Sequence, residues 1–123
     1  MTLARILVVD DEPAMVEMVI DHLTSAGYDA VGAKNAEEAF TAMQAVSPDV
    51  VLLDVTMPIV DGVTVLRRLR VTHPDVPIIM MTANVDLALA RDTLKLGAFD
   101  YVAKPFDFDH LAHVVEAAVA HRA

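Results

Sequence analysis

The chain contains no cysteine, which excludes disulfide cross-links, thiolate nucleophiles and Cys-ligated zinc and fits a reducing compartment. Positive charge is scarce as well: 9 Lys and Arg stand against 18 Asp and Glu, giving a net charge of −9 and a pI near 4.7. Nucleic-acid affinity rests on clustered cations, so direct nucleic-acid binding is not expected and output through protein contacts is. No stretch approaches the roughly 18 uncharged apolar residues of a membrane span. The apolar stretch near the N-terminus runs straight into Asp10, Asp11 and Glu12, unlike a secretory signal. The expectation is a cytoplasmic protein with no membrane partner. Linkers, internal repeats and low-complexity segments are also missing, so residues 1–123 are read as a single domain. At this size folding can bury roughly two thirds of the extended-chain surface.

What the chain does have is apolar sequence in a particular arrangement, 55% of it. Runs rich in Val and Ile lie at about 5–9, 29–33, 49–53, 77–81 and 99–102. Four of the five are nearly unbroken rather than alternating, the pattern of strands buried on both faces. Between them, apolar residues recur at i, i+3, i+4 and i+7: Val16, Val19, Ile20 and Leu23; Ala36, Ala39, Phe40 and Met43; Gly62, Val65, Leu66 and Leu69; Leu111, Val114, Val115 and Ala118. Each set makes one apolar stripe on a helix. Asn35 with Glu38 resembles a capping box, Asp61 and Asp107 suit N-caps, and Gly27 and Gly97 suit C′ positions. A fourth helix over about 85–96 is irregular, because Leu87, Leu89, Leu94 and Leu96 share no stripe. The pattern predicts an α/β fold, (βα)5, a doubly wound five-stranded parallel sheet with helices on both faces and right-handed crossovers.

Each strand-like run but one stops on a polar residue with chemistry to offer. ILVV ends on Asp10 and Asp11, VVLL on Asp54, IIMM on Thr82 and YVA on Lys104. In the common doubly wound order 2-1-3-4-5, adopted here by analogy, strands 1 and 3 are neighbours at the switch point, where ligands bind. Two carboxylates about 4 Å apart repel by roughly 4 kcal/mol at an effective dielectric of about 20, so three in one crevice call for a cation. Oxygen-only ligation suits Mg²⁺, or Mn²⁺ in its place. A lysine beside them would balance the site for one more dianionic group, a phosphoryl. The plainer reading is that Asp11 caps the first helix, Asp54 caps a turn and Lys104 is a solvated loop residue. A cap, however, needs no lysine from a distant strand. Thr82 alone reads as a strand-end turn residue, and Tyr101 as a tyrosine half-buried between sheet and helix.

Taken together, ILVVDDEP, VVLLDVTMPIVDG, IIMMTA and FDYVAKPF resemble the receiver domain of two-component response regulators over essentially the whole chain. The resemblance implies that Asp54 is the phosphoacceptor, taking a phosphoryl group from a sensor histidine kinase or a phosphotransfer protein. It implies that Asp11, Asp54 and the backbone carbonyl of Thr56 hold Mg²⁺, with Asp10 acting mainly through a water. Lys104 would bind the phosphoryl group, next to a cis bond to Pro105. Thr82 and Tyr101 would be the switch pair. Thr56 and Asn84 would tune the lifetime of the acyl phosphate. Output would run through the face of the fourth helix, fifth strand and fifth helix, to a protein target, an effector domain or a second copy paired on phosphorylation. Such a protein is a phosphoacceptor, not a turnover enzyme.

Two competing classes fit less well. A phosphohydrolase of the haloacid-dehalogenase type is similar over Asp54 and Val55, but that family carries a second Asp where this chain has Thr56. A flavodoxin-like cofactor binder would have a Ser/Thr/Gly-rich phosphate loop after the first strand, where this chain has acids. The methionines Met15, Met18, Met43, Met80 and Met81 read as packing, His110 and His113 as surface residues without an acid partner, and Asp61–Gly62 as a helix start.

Overall fold

Ile6, Leu7, Val8 and Val9 alternate between two different hydrophobic clusters, and that alternation fixes the architecture. Leu7 and Val9 join Leu53 and Met80 on one face of a sheet; Ile6 and Val8 join Leu52, Ile79 and Met81 on the other. With no solvated face, the central strands are apolar up to the edge where Asp54 and Thr82 stand, which is why the runs read as unbroken. A computed structural model of the chain describes residues 3–55, 57, 60–83 and 87–122. The strands are β1 (Arg5–Val9), β2 (Asp29–Ala33), β3 (Val50–Asp54), β4 (Ile78–Ala83) and β5 (Asp100–Lys104). The helices are α1 (Pro13–Ser25), α2 (Ala36–Val46), α3 (Gly62–Thr72), α4 (Leu87–Lys95) and α5 (Phe108–His121). All pairings are parallel and the order is β2-β1-β3-β4-β5, the expected doubly wound fold.

Helices α2 and α3 cover the first face through Ala39, Met43, Val65, Leu66 and Leu69; α1 and α5 cover the second through Val19, Leu23, Leu111, Val115 and Ala118. These are the stripes read from the sequence. Asn35 accepts from the Glu38 amide at 2.8 Å, and Glu38 reaches back to the Lys34 amide at 3.1 Å rather than to Asn35 itself. Asp61 accepts from the Thr64 amide at 2.9 Å, and Asp107 from those of Asp109 and His110. Gly27 and Gly97 follow α1 and α4 at φ 97° and 105°, a left-handed backbone that favours glycine. At the other end of α3, the Arg70 guanidinium donates to the carbonyls of His73, Pro74, Val76 and Gly97, tying that helix to the chain entering β4 and β5.

Three local readings are corrected. The third, fourth and fifth strands end one or two residues later than the apolar runs, so Asp54, Thr82 and Lys104 lie inside the ladder rather than beyond it. Among its described side chains α4 buries Ala90 and Thr93 and leaves Leu89 and Leu94 exposed, small buried residues that a search for large apolar ones passes over. Met18 faces solvent instead of packing, while Met43, Met80 and Met81 are buried.

The contact of α1 with β2 depends on Gly32. A Cβ there would lie 2.5 Å from Val16 Cγ1, and a helical valine has essentially one rotamer, so the helix itself would have to move. Overpacking of this kind costs about 1–3 kcal/mol, more than the ~0.4–1 kcal/mol that Gly→Ala gains through the unfolded chain. Gly32→Ala is therefore expected to lower the urea midpoint with an unchanged m-value; an equal or higher midpoint would show that α1 is not held this closely.

Candidate functional site

Asp10 follows β1 directly and still obeys the sheet, its amide donating to the Ala33 carbonyl at 3.0 Å. Asp54 is the last residue of β3 and pairs in register with Met81; one position on in β4, Thr82 pairs with Ala103 and Ala83 with Lys104. The parallel register thus carries Asp10, Asp54, Thr82 and Lys104 to the same edge, which Asp11 joins from the β1–α1 loop. Oxygens of Asp10, Asp11 and Asp54 all lie within 4.8 Å of one another. Lys104 Nζ sits 2.6 Å from Asp10 Oδ2 and 3.6 Å from Asp54 Oδ1, reaching a carboxylate 94 positions earlier in the chain. Asp10 is 0% exposed and Asp54 5%, whereas Asp11 is open to solvent. The Lys104–Pro105 peptide is cis, as the resemblance implies.

Three carboxylates and one ammonium leave two negative charges in a largely dehydrated crevice. Burial alone would lower the Lys104 pKa. The hydrogen bond that the ammonium donates to Asp10 and the charges of Asp54, Asp10 and Glu12 outweigh it and hold the ammonium above its ordinary value. Asp10 makes two fixed bonds, one oxygen taking Lys104 and the other the Glu12 amide at 3.0 Å. The donor set is all oxygen and carries the charge that a hard divalent cation neutralises, so these residues fit Mg²⁺ or Mn²⁺. The plainer reading of Asp11 as a helix cap does not hold: Glu12 is the N-cap of α1 and no side chain caps that helix.

The Thr82 hydroxyl, 1% exposed, donates to the Ala83 carbonyl at 3.1 Å. Met80 and Tyr101 are register partners, and the two-residue period of β4 puts Thr82 on the same sheet face as Met80. Thr82 and Tyr101 therefore share a face on neighbouring strands, with Tyr101 half-buried against the α2–α3 side of the core. Thr56, including its carbonyl, and Asn84 lie outside the described residues. His110 and His113 are exposed, and the acidic trio is the one such cluster of three metal-ligating groups found among the described residues.

Gly62 belongs to the site as well as to the start of α3. Its amide donates to the Val55 carbonyl at 3.0 Å. A Cβ at this position would lie 1.9 Å from the Asp54 carbonyl oxygen and 2.9 Å from Val55 Cα, both backbone atoms with no freedom to move aside. The start of α3 is thus pressed onto the peptide of Asp54, and only glycine permits it. The available signal was a glycine at the first helical position, a poor helix former next to a good cap.

Two variants probe this geometry. Lys104→Met removes the cation from a buried pair and should cost roughly 3 kcal/mol in metal-free protein at neutral pH. Because the folded-state pKa is raised, that contribution is complete below the unfolded lysine value of about 10.4 and fades as pH rises through the higher folded one. Wild type and variant should therefore converge only in the strongly alkaline range, and Mg²⁺ should narrow the gap at neutrality; equal stabilities at pH 7 would refute the pair. Gly62→Ala should lower stability by at least ~2 kcal/mol, since backbone must shift to admit the methyl group.

Comparison with known proteins agrees with this arrangement. The profile of the response regulator receiver domain matches residues 6–116. The chain is 39% identical over 114 residues to the DNA-binding transcriptional regulator NtrC of Salmonella typhimurium, covering 93% of this chain and 24% of that protein. It is 47% identical over 102 residues to the probable transcriptional regulator ycf27 of Cyanophora paradoxa, covering 83% and 42% respectively. The chain thus spans a quarter to two fifths of the length of these relatives. Among solved structures, the receiver domain of NtrX from Brucella abortus superposes with a TM-score of 0.91 at 32% identity, covering 94% of this chain and 98% of that one. With the profile spanning nearly the whole sequence and the acidic edge in place, the chain belongs to the response regulator receiver domain family of two-component phosphorelay signalling.

Proposed function

We propose that residues 1–123 act as a receiver that cycles between the Asp54 carboxylate and its acyl phosphate. The observation that carries this reading is the convergence of Asp10, Asp11 and Asp54 around Lys104 at one sheet edge. An Asp54 oxygen attacks the phosphorus of a phosphohistidine on a sensor histidine kinase or phosphotransfer protein. The O–P bond forms as the N–P bond breaks, and the imidazole leaves. Asp10, Asp11, Asp54 and the Thr56 carbonyl would hold Mg²⁺, which when bound neutralises charge on the phosphoryl oxygens. Lys104, already beside Asp54, turns its ammonium to the new dianion. Thr82 exchanges the Ala83 carbonyl for a phosphoryl oxygen, and Tyr101, on the same face, turns into the space vacated. Thr56 and Asn84 set the rate at which water reaches the acyl phosphate.

The output face is then α4, β5 and α5, and the exposed Leu89 and Leu94 of α4 supply the apolar area that a protein target needs. A ligand shifts such an equilibrium only by its differential affinity, so the unphosphorylated protein samples the active arrangement to a small extent. The target is an effector domain, a separate protein or a second copy. The acidic receiver itself makes no contact with nucleic acid, although its relative NtrC is a DNA-binding regulator. The module works in the cytoplasm; no helix among the described residues is long and apolar enough to cross a membrane. It turns over no substrate other than its own acyl phosphate.

Incubation with acetyl phosphate and Mg²⁺ should add one phosphoryl mass, stable to acid and labile to base, and Asp54→Asn should take up none. Full labelling of that variant would move the acceptor elsewhere. Mg²⁺ at 100 times its dissociation constant should stabilise the wild type by about 2.7 kcal/mol, with a smaller gain in Asp11→Asn.

A further inference from the structure

Helices α2 and α3 leave an open groove of about 570 Å³ between the C-terminal half of one and the C-terminal half of the other. Met43 and Phe40 form its floor on α2, and Arg67, Arg68, Val71 and His73 line it on the α3 side. No acidic side chain lines it, in a chain with twice as many acids as Lys and Arg. Helix α3 carries three of the chain's 9 cations and no acid at all. Of the three, Arg70 is committed to backbone carbonyls. Arg67 and Arg68 are exposed and make no ion pair among the described residues. Between them and the helix end, Val71 is 82% exposed. The Arg68 guanidinium lies 5.5 Å from the centre of the Phe40 ring, covering the apolar floor with a cation.

We propose that this groove is a docking site for an acidic amphipathic helix of a partner protein, distinct from the output face. The argument is charge complementarity over an apolar floor. The six residues of α3 from Arg67 to Thr72 extend about 9 Å, which matches just under two turns of a partner helix. One apolar side chain of that helix enters between Phe40 and Val71, while carboxylates on its flanks pair with Arg67 and Arg68. A carboxylate that draws Arg68 aside also uncovers Phe40, so the ionic and apolar contacts form together. A nucleic-acid backbone would meet only two free guanidiniums on a molecule of net charge −9, and would gain nothing from the apolar floor.

The test uses full-chain protein and a fluorescein-labelled model peptide with leucine on one helical face and glutamate on the rest. A scrambled isomer and a lysine-for-glutamate version serve as controls. Anisotropy should show binding of the acidic peptide alone, weakened by salt, with NMR shift changes centred on Phe40, Met43 and Val71. Arg67→Glu with Arg68→Glu, and separately Val71→Ser, should each weaken binding roughly tenfold or more. Both are surface changes, and unaltered uptake of phosphoryl from acetyl phosphate by Asp54 in each would show that the fold persists. Equal binding of the lysine peptide, shifts confined to α4 and α5, or insensitivity to the charge reversal would overturn the proposal. So would binding of duplex DNA abolished by the charge reversal. Concentration-dependent self-association lost in Val71→Ser would also overturn it, by assigning the groove to a second copy.

Discussion

The contact on which the rest of the site depends is the one between Lys104 and Asp10. Asp10 is fully buried, and an unpaired ionised carboxylate in that position would be several kcal/mol too costly to keep. Lys104 relieves it at 2.6 Å, at the end of a strand two places away in the sheet from β1's neighbour β3. The pair therefore cannot form until β1, β3, β4 and β5 are all in register. In this way an electrostatic requirement at one edge is tied to the order of the whole sheet. Asp11 and Asp54 then add charge that a single ammonium does not balance, so the edge fits a divalent cation.

Register is the mechanical counterpart of that pairing. A strand buried on both faces that slipped by one residue would exchange the residues of its two core faces, moving Leu53 toward α1 and α5 and Leu52 toward α2 and α3. Both exchanges keep apolar residues inside, so hydrophobicity alone discriminates weakly between them. The polar terminus does better: a slipped β3 would draw Asp54 into the core or push it past Lys104. The residues that carry the chemistry also specify the alignment of the strands that hold them.

Much of this was legible in the sequence because the signals were strong and local. Unbroken Val/Ile runs, four clean helical stripes and the caps at Asn35, Asp61 and Asp107 all point the same way, and agreement among levels is what specifies a fold. The placement of Asp10, Asp11, Asp54 and Lys104 followed from the ends of those runs together with strand order, and the order came from analogy rather than from any residue. What escaped depends on distance across the fold. Gly62 matters because α3 touches the Asp54 peptide, a contact with no periodicity. The buried side of α4 is marked by Ala90 and Thr93, which carry little hydrophobic signal, while Leu89 and Leu94 suggest the wrong face. The bonds of Lys104 to Asp10 ahead of Asp54 could not be ranked without coordinates.

The same small residues bear on where a change of state can travel. A buried leucine contributes roughly 1.5–3 kcal/mol, whereas an alanine methyl contributes about 0.8 kcal/mol. Helices α3 and α5 each bury four residues, among them Leu66, Leu69, Leu111 and Val115. Among the described side chains of α4 the buried ones are Ala90 and Thr93, and the Thr93 hydroxyl is turned back onto the Ala90 carbonyl of its own helix. The helix packs on the two strands, β4 and β5, that carry Thr82, Tyr101 and Lys104. A sheet apolar on both faces cannot bend to report a new charge at Asp54 without opening two cores. The described buried residues of α4 are an alanine and a threonine, which have less apolar area to lose than either core, so a shift of this helix would cost less than bending the sheet.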